Sequence, residues 1–172
     1  MSAPGGRRSR PDPLDTSLLF DVFALNQAVG RLLAGAMRDG PLSPAEYAVY
    51  SAMFELESAT PTALAARLGM RLTTFMDQLR LVEERGHARR RPNPRDGRSQ
   101  LVTLTAAGLA AHREANRLFE AAYEAFTAEL GGGETPAKEV LAAIRGAAER
   151  ALAGRAPTPR ALPVSPRPGL AD

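Results

Sequence analysis

Residues 85–98 read RGHARRRPNPRDGR: six arginines in fourteen residues, with Asp96 the one carboxylate among them. A run this cationic cannot sit in a core, because unpaired buried charge is prohibitively costly. It must project into water or onto a polyanion. The stretch also carries the marks of a β-hairpin. Arg89, Arg90 and Arg91 lead into Pro92, Asn93 and Pro94, then Asp96-Gly97, then the alternating Ser99-Gln100-Leu101-Val102-Thr103-Leu104. A basic hairpin directly after a helical segment suits gripping nucleic-acid backbone and reaching into a groove.

Upstream of the hairpin, Leu72, Phe75, Met76, Leu79 and Val82 recur at helical spacing, which predicts a helix with these five as its core face, ended by Arg85-Gly86. Thr60-Pro61 supplies a cap and a proline at the first helical position. It opens a short helix ending near Leu68-Gly69, with Leu64, Ala65 and Leu68 turned inward. Ser43-Pro44-Ala45-Glu46 is a stronger start signal, a capping box with proline inside it. That helix runs through Tyr47, Tyr50, Met53, Phe54 and Leu56 to about Ser58. Thr16 to Arg38 carries apolar residues at 18, 22, 25, 29, 32 and 36, flanked by 19, 23, 33 and 37, and reads as a long amphipathic helix stopped by Gly40-Pro41. Downstream, Thr105 caps a long helix from Leu109 to Leu130, and Gly131-Gly132-Gly133 breaks it. Thr135-Pro136 opens a last helix carrying Val140, Leu141, Ile144, Ala148 and Leu152. There is no internal repeat.

With 172 residues, the chain reads as a single domain over 15–153 between two unstructured ends, 1–14 and the Pro-rich 154–172. The net charge is only +3, yet the pI is near 9.9, because 21 of 22 basic residues are arginine and Lys138 is the lone lysine. A GC-rich coding sequence accounts for arginine over lysine but not for where the charge sits. From Arg67 to Arg98, nine arginines face Asp77, Glu83, Glu84 and Asp96, a net of +5. The rest of the chain is therefore slightly acidic, and an acidic partner at one surface is expected. With no cysteine, disulfide scaffolds, thiolate metal sites and thiol redox sensing are excluded. His87 and His112 stand too far apart for an HExxH-type site, so no metal and no cofactor are expected. No apolar stretch reads as approaching the ~20 residues of a membrane helix, and Arg7, Arg8 and Arg10 precede Pro-Asp-Pro rather than an apolar segment. A soluble, cytoplasmic protein with no membrane partner is the expectation.

The predicted order is thus mainly α with a small β-hairpin, and its middle, about 43–104, is a winged helix-turn-helix. A short supporting helix and a reader, Leu72 to Arg85, could lay the reader in a major groove while the hairpin crosses the backbone. The stretch from Leu64 to Gly108 resembles the MarR family of bacterial transcription regulators. The resemblance is carried most specifically by Asn93-Pro94-Arg95-Asp96-Gly97-Arg98 and by Leu101-Val102-Thr103-Leu104-Thr105-Ala106-Ala107-Gly108, similar to that family's wing and its entry into the next helix. The resemblance implies a homodimer whose outer helices, 16–38 and 105–152, interleave between two chains, so that two readers meet a pseudo-palindromic operator. The apolar faces of those helices exceed what a winged-helix core could cover, and large exposed apolar patches are unusual in soluble monomers.

For DNA contacts, Arg98 comes first: a planar, permanently charged guanidinium at a hairpin tip suits a narrow minor groove. The resemblance implies that Asp96 holds that side chain; the plainer alternative is a solvated turn with Asp96 capping Gly97. Arg95, Arg90 and Arg91 read as phosphate contacts, which position without carrying sequence information. The reader leaves Arg71, Thr73, Thr74, Asp77, Gln78 and Arg80 for solvent or DNA. Gln78 could pair with adenine and Arg71 with guanine. Asp77 stands where the family often has a basic residue; it could accept from cytosine, order Arg80 or Arg71, or repel phosphate. Glu83 and Glu84 are expected to be solvated or paired with Arg80 and Arg85, and His87 to pack at the base of the wing.

Regulators of this type often bind a small aromatic or anionic molecule where the dimer helices meet the reading domain. Phe20, Phe23, Tyr47, Tyr50, Met53 and Phe54 are candidates by position, with Arg117 as anion partner; each is also explained as core. The leading reading is a dimeric, sequence-specific, double-stranded-DNA-binding regulator, a repressor modulated by a small ligand. The competing one is a helical protein-interaction adaptor that retains the winged fold without operator binding. Nothing in the sequence assembles a catalytic constellation.

Overall fold

Most helices begin where the sequence supplies a cap. In the computed structural model, which describes residues 17–154, the elements run α1 (Leu18–Ala36), α2 (Pro44–Glu55), α3 (Pro61–Arg67), α4 (Leu72–Glu84), β1 (Ala88–Asn93), β2 (Asp96–Leu104), α5 (Ala106–Glu129) and α6 (Glu134–Ala153). The expected N-terminal tail, with Arg7, Arg8 and Arg10, lies outside the described residues, as does 155–172 of the Pro-rich end. At α2 the capping box is complete. Glu46 Oε2 accepts from Ser43 N at 2.8 Å, and Ser43 Oγ accepts from Glu46 N at 3.4 Å. Thr60 Oγ1 accepts from Ala63 N at 3.2 Å, with Pro61 in the first turn of α3. Each such cap satisfies a backbone donor that the helix cannot, worth about 1 kcal/mol. The reader α4 has no side-chain cap; Arg71 precedes it in extended conformation.

The described residues fall into two compact units, one up to Phe126 and one from Thr127. The first is centred on α2, α3, α4 and β2, whose Tyr50, Met53, Leu64, Phe75, Leu79 and Val102 are fully buried with Leu42 and Val49. Ala111 and Ala115 of α5 close onto the same cluster. At roughly 1.5–3 kcal/mol per large apolar side chain removed from water, this cluster is the main source of the unit's stability. Leu64 and Ala65 are buried and Leu68 is half-buried, as expected of the support helix. On α4, Phe75, Leu79 and Val82 are core and Met76 packs beside them, but Leu72 is 44% exposed. The sequence reading of Leu72 as core is corrected here: as the first helical residue it has no preceding turn of its own helix to pack beside.

The hairpin is rooted in this core. Ala59, between α2 and α3, forms a bridge to Val102, with Val102 N donating to Ala59 O at 2.8 Å. Thr105 Oγ1 accepts from Gly108 N at 3.2 Å and donates to Gly86 O at 2.8 Å, so one hydroxyl caps α5 and ties it to the turn before the wing. Gly108 is needed there: a Cβ on it would lie 2.2 Å from the His87 carbonyl oxygen. Tyr50 and His87 Nδ1 share a 2.9 Å hydrogen bond, which places His87 at the wing's base as expected.

Helix α1 has no buried residue. Leu18, Leu19, Phe20, Phe23, Leu25 and Leu32 are all exposed. Its 19 residues, with a mean hydropathy of 1.3, make it long and apolar enough to cross a membrane. That corrects the sequence reading that no stretch approached this length. Asp21, Asn26, Gln27 and Arg31 interrupt its apolar sequence, so the helix qualifies by average hydropathy over its length and not by an unbroken apolar run.

In the second unit, Gly131 and Gly132 take φ of +60° and +84°, a left-handed turn that favours glycine. Helix α6 follows with Gly133 as its cap; Thr135 and Pro136, expected to open it, lie in its first turn instead. No α6 residue is buried, and Val140, Leu141 and Leu152 are exposed.

Candidate nucleic-acid interface and effector cavity

The wing is an antiparallel pair in register from Ala88↔Leu104 to Pro92↔Gln100, after which Asn93 pairs with Asp96. Between those last two pairs β1 advances one residue and β2 four, so Gly97, Arg98 and Ser99 form a bulge, and Pro94-Arg95 is the loop. Bulges re-aim side chains, and Arg98 lies exposed within this one. Four hydrogen bonds preset the tip. Asn93 Oδ1 accepts from Arg95 N at 3.0 Å and Asp96 Oδ1 from Arg98 N at 3.1 Å. Ser99 Oγ accepts from Asn93 Nδ2 at 2.8 Å and donates to Asp96 O at 3.1 Å. Asp96 therefore holds the backbone of Arg98 rather than its guanidinium, which corrects the role implied by resemblance. A carboxylate two residues earlier reaches the nearer N–H first.

The structure sorts the six arginines of the run. Arg85 pairs with Glu46 at 2.6 Å, across from α2. Arg90 is gripped by both Glu83 oxygens, at 2.6 and 3.0 Å. Arg91 Nη2 donates to Ser58 Oγ at 2.9 Å, and Arg89 Nε to Thr103 Oγ1 at 3.4 Å. Arg95 and Arg98 are exposed and their side chains have no partner among the described residues. Hence Arg90, expected to be a phosphate contact, is already engaged, and the free cations stand at the tip. Glu83 and Arg85 find partners beyond their own helix; of the expected pairings only Arg80–Glu84 forms, at 3.0 Å. Glu83 holds the Arg90 guanidinium further toward its charged form, chiefly by hydrogen bonding.

On α4, Thr73, Thr74, Asp77 and Arg80 are exposed and Gln78 is half-buried; Arg71 is exposed just before the helix. Among the described residues the Asp77 side chain makes neither hydrogen bond nor ion pair, so of its three readings the local ordering of Arg80 or Arg71 is not seen there.

A cavity of about 570 Å³ opens between α2 and α5. Tyr47, Phe54 and Arg117, three of the proposed effector contacts, line it; Phe20, Phe23, Tyr50 and Met53 do not. Tyr50 and Met53 are sealed in the core, and Phe20 and Phe23 lie exposed on α1. Ser51, Ala110, His112, Arg113, Glu114 and Asn116 complete the lining and were missed by the sequence reading. The i, i+4 spacing of His112 with Asn116 and of Arg113 with Arg117 is the signal that could have found them. His112 is 5% exposed, stacks on Tyr47 (centroids 5.5 Å apart) and Phe54 (4.7 Å), and hydrogen-bonds Ser51 Oγ at 3.2 Å. Burial, then the charge of Arg113, holds its imidazole below the ordinary histidine pKa. Tyr47 donates to Asn116 Oδ1 at 2.6 Å, and burial raises its phenol. Arg113 and Arg117 have no ion-pair partner among the described residues. An aromatic wall beside two free guanidiniums suits a flat, anionic ligand. Among the described residues no group of acidic, histidine or cysteine side chains could hold a metal ion.

No family model matches the chain. A curated relative, the HTH-type transcriptional regulator TtmR of Methylorubrum extorquens (strain PA1), is 31% identical over 108 residues, 63% of this chain and 54% of its own length. The chain thus spans about half of that relative. Among solved structures, the PcaV transcriptional regulator from Streptomyces coelicolor, in complex with its natural ligand, superposes with a TM-score of 0.69. It is 25% identical, with 83% of this chain and 99% of that one covered. A mutant MarR from E. coli complexed with operator DNA gives a TM-score of 0.61 at 25% identity, over 73% of this chain and 96% of that one.

Proposed function

Because this chain has the MarR-type winged helix-turn-helix fold and resembles those regulators in sequence, we propose that it is a sequence-specific, double-stranded-DNA-binding transcriptional regulator acting as a homodimer. The observation that carries this is the wing: a hydrogen-bonded bulge presents Arg98 and Arg95, without side-chain partners among the described residues, beside an exposed reader helix. Arg98 enters the minor groove, and Arg95 meets phosphate. Arg71, Thr73, Thr74, Gln78 and Arg80 face the major groove. The likeness to a DNA-bound MarR structure supports the same placement.

The exposed apolar side chains of α1 and of the end of α5, Tyr123 and Phe126 among them, support pairing with a second copy. Two readers then address half-sites ~10 base pairs apart. In this reading α1 is covered by protein rather than lipid, and the dimer works on the chromosome in the cytoplasm without cofactor or catalysis. A small aromatic anion held by Tyr47, Phe54, His112, Arg113 and Arg117 shifts the reader spacing and relieves repression.

Selection of genomic fragments with the purified protein tests the proposal. A recovered pseudo-palindrome bound with steep salt dependence is expected. Binding to no duplex, or a monomer at micromolar concentration, overturns it.

A further inference from the structure

The reader helix is not the cationic element of the interface. The ridge opposite Phe75, Leu79 and Val82 is built from Thr73, Asp77, Arg80, Leu81 and Glu84, all exposed. Arg80 is bonded to Glu84 at 3.0 Å, so it does not neutralise Asp77, and the ridge is net negative. At its centre Asp77 is a carboxylate with no partner in the described structure.

A carboxylate is acceptor-only and is repelled by every phosphate it approaches. In a major groove it can be satisfied only by a base amino group. Guanine presents two acceptors there, thymine an acceptor and a methyl, and adenine an acceptor beside its amino group; cytosine alone presents a donor without an adjoining acceptor. Resting on the regulator reading above, we infer that Asp77 is the specificity-determining residue of the reader, accepting from the N4 amino group of one cytosine in each half-site. The wing supplies affinity for any duplex, and Asp77 subtracts it wherever that cytosine is missing.

Selection from a randomised duplex library with the full chain tests this. Wild type is expected to enrich cytosine at one position per half-site. D77N shifts that position toward adenine, whose donor–acceptor edge matches an amide, and D77A loses preference there alone. Replacing that base pair lowers wild-type affinity roughly tenfold and D77A affinity less than twofold. D77A also binds random duplex more tightly than wild type. Since Asp77 is exposed and unpartnered, both variants keep the wild-type thermal midpoint. A wild-type site that D77A selects with unchanged preference at every position overturns the inference and leaves the regulator standing. No enriched site for wild type fells both.

Discussion

Arg90 of β1 donates to both carboxylate oxygens of Glu83 in α4, at 2.6 and 3.0 Å, and so locks the wing to the reader helix. Two parallel charge-assisted bonds define an angle as well as a distance. They fix how far the Arg98 tip stands from the reading ridge.

Glu83→Gln therefore separates geometry from charge. Removing an anion beside DNA should strengthen binding on Coulombic grounds alone; loosening the wing should weaken binding to the selected site. The expected outcome is weaker specific and equal or tighter non-specific binding. The pair is about a third exposed, so the stability loss should stay under ~1 kcal/mol. Hydrogen exchange should quicken at the amides of 89–91.

Arg98→Ala should weaken binding to the selected duplex by roughly 1–3 kcal/mol and lower the salt slope by about 1. The side chain has no partner among the described residues, so the thermal midpoint should barely move. Unaltered affinity would remove the wing from the interface.

Gly108→Ala should be severe despite adding one methyl group. Its Cβ would meet backbone, the His87 carbonyl, at 2.2 Å, and backbone cannot swing aside as a side-chain end can. A loss of about 1–3 kcal/mol or more is expected in urea unfolding, accompanied by weaker DNA binding as the wing's root shifts.

His112 predicts a pH dependence. Its folded pKa lies below the unfolded value of about 6.5, first through burial and then through Arg113. Protons thus bind the unfolded chain more readily. Stability is fully present above about 6.5 and falls as pH drops below that value toward the folded pKa. In His112→Gln, which does not titrate, the urea midpoint should be flatter over this window. Equal slopes would show that His112 is readily protonated in the fold.

Local signals carried much of the fold. Ser43 with Glu46, Thr60 with Pro61, and Thr105 each placed a helix start within a residue or two, because capping is settled over one turn of chain. Leu72 misled because periodicity says which face a residue shares but not whether a neighbour reaches it. Thr135 misled because Gly133, after two left-handed glycines, had already begun the helix.

The sequence by itself determined that a basic hairpin follows an amphipathic helix, since charge and turn residues act where they stand. Only the tertiary structure decided which arginines remain available. Arg85, Arg90 and Arg91 are drawn to Glu46, Glu83 and Ser58, while Arg95 and Arg98 are left at the tip. The cavity of Tyr47, Phe54, His112, Arg113 and Arg117 arose in the same way, from helices some sixty residues apart in sequence. Ion pairs and cavity walls are set by through-space distance, and residues remote along a chain meet only once the core has closed.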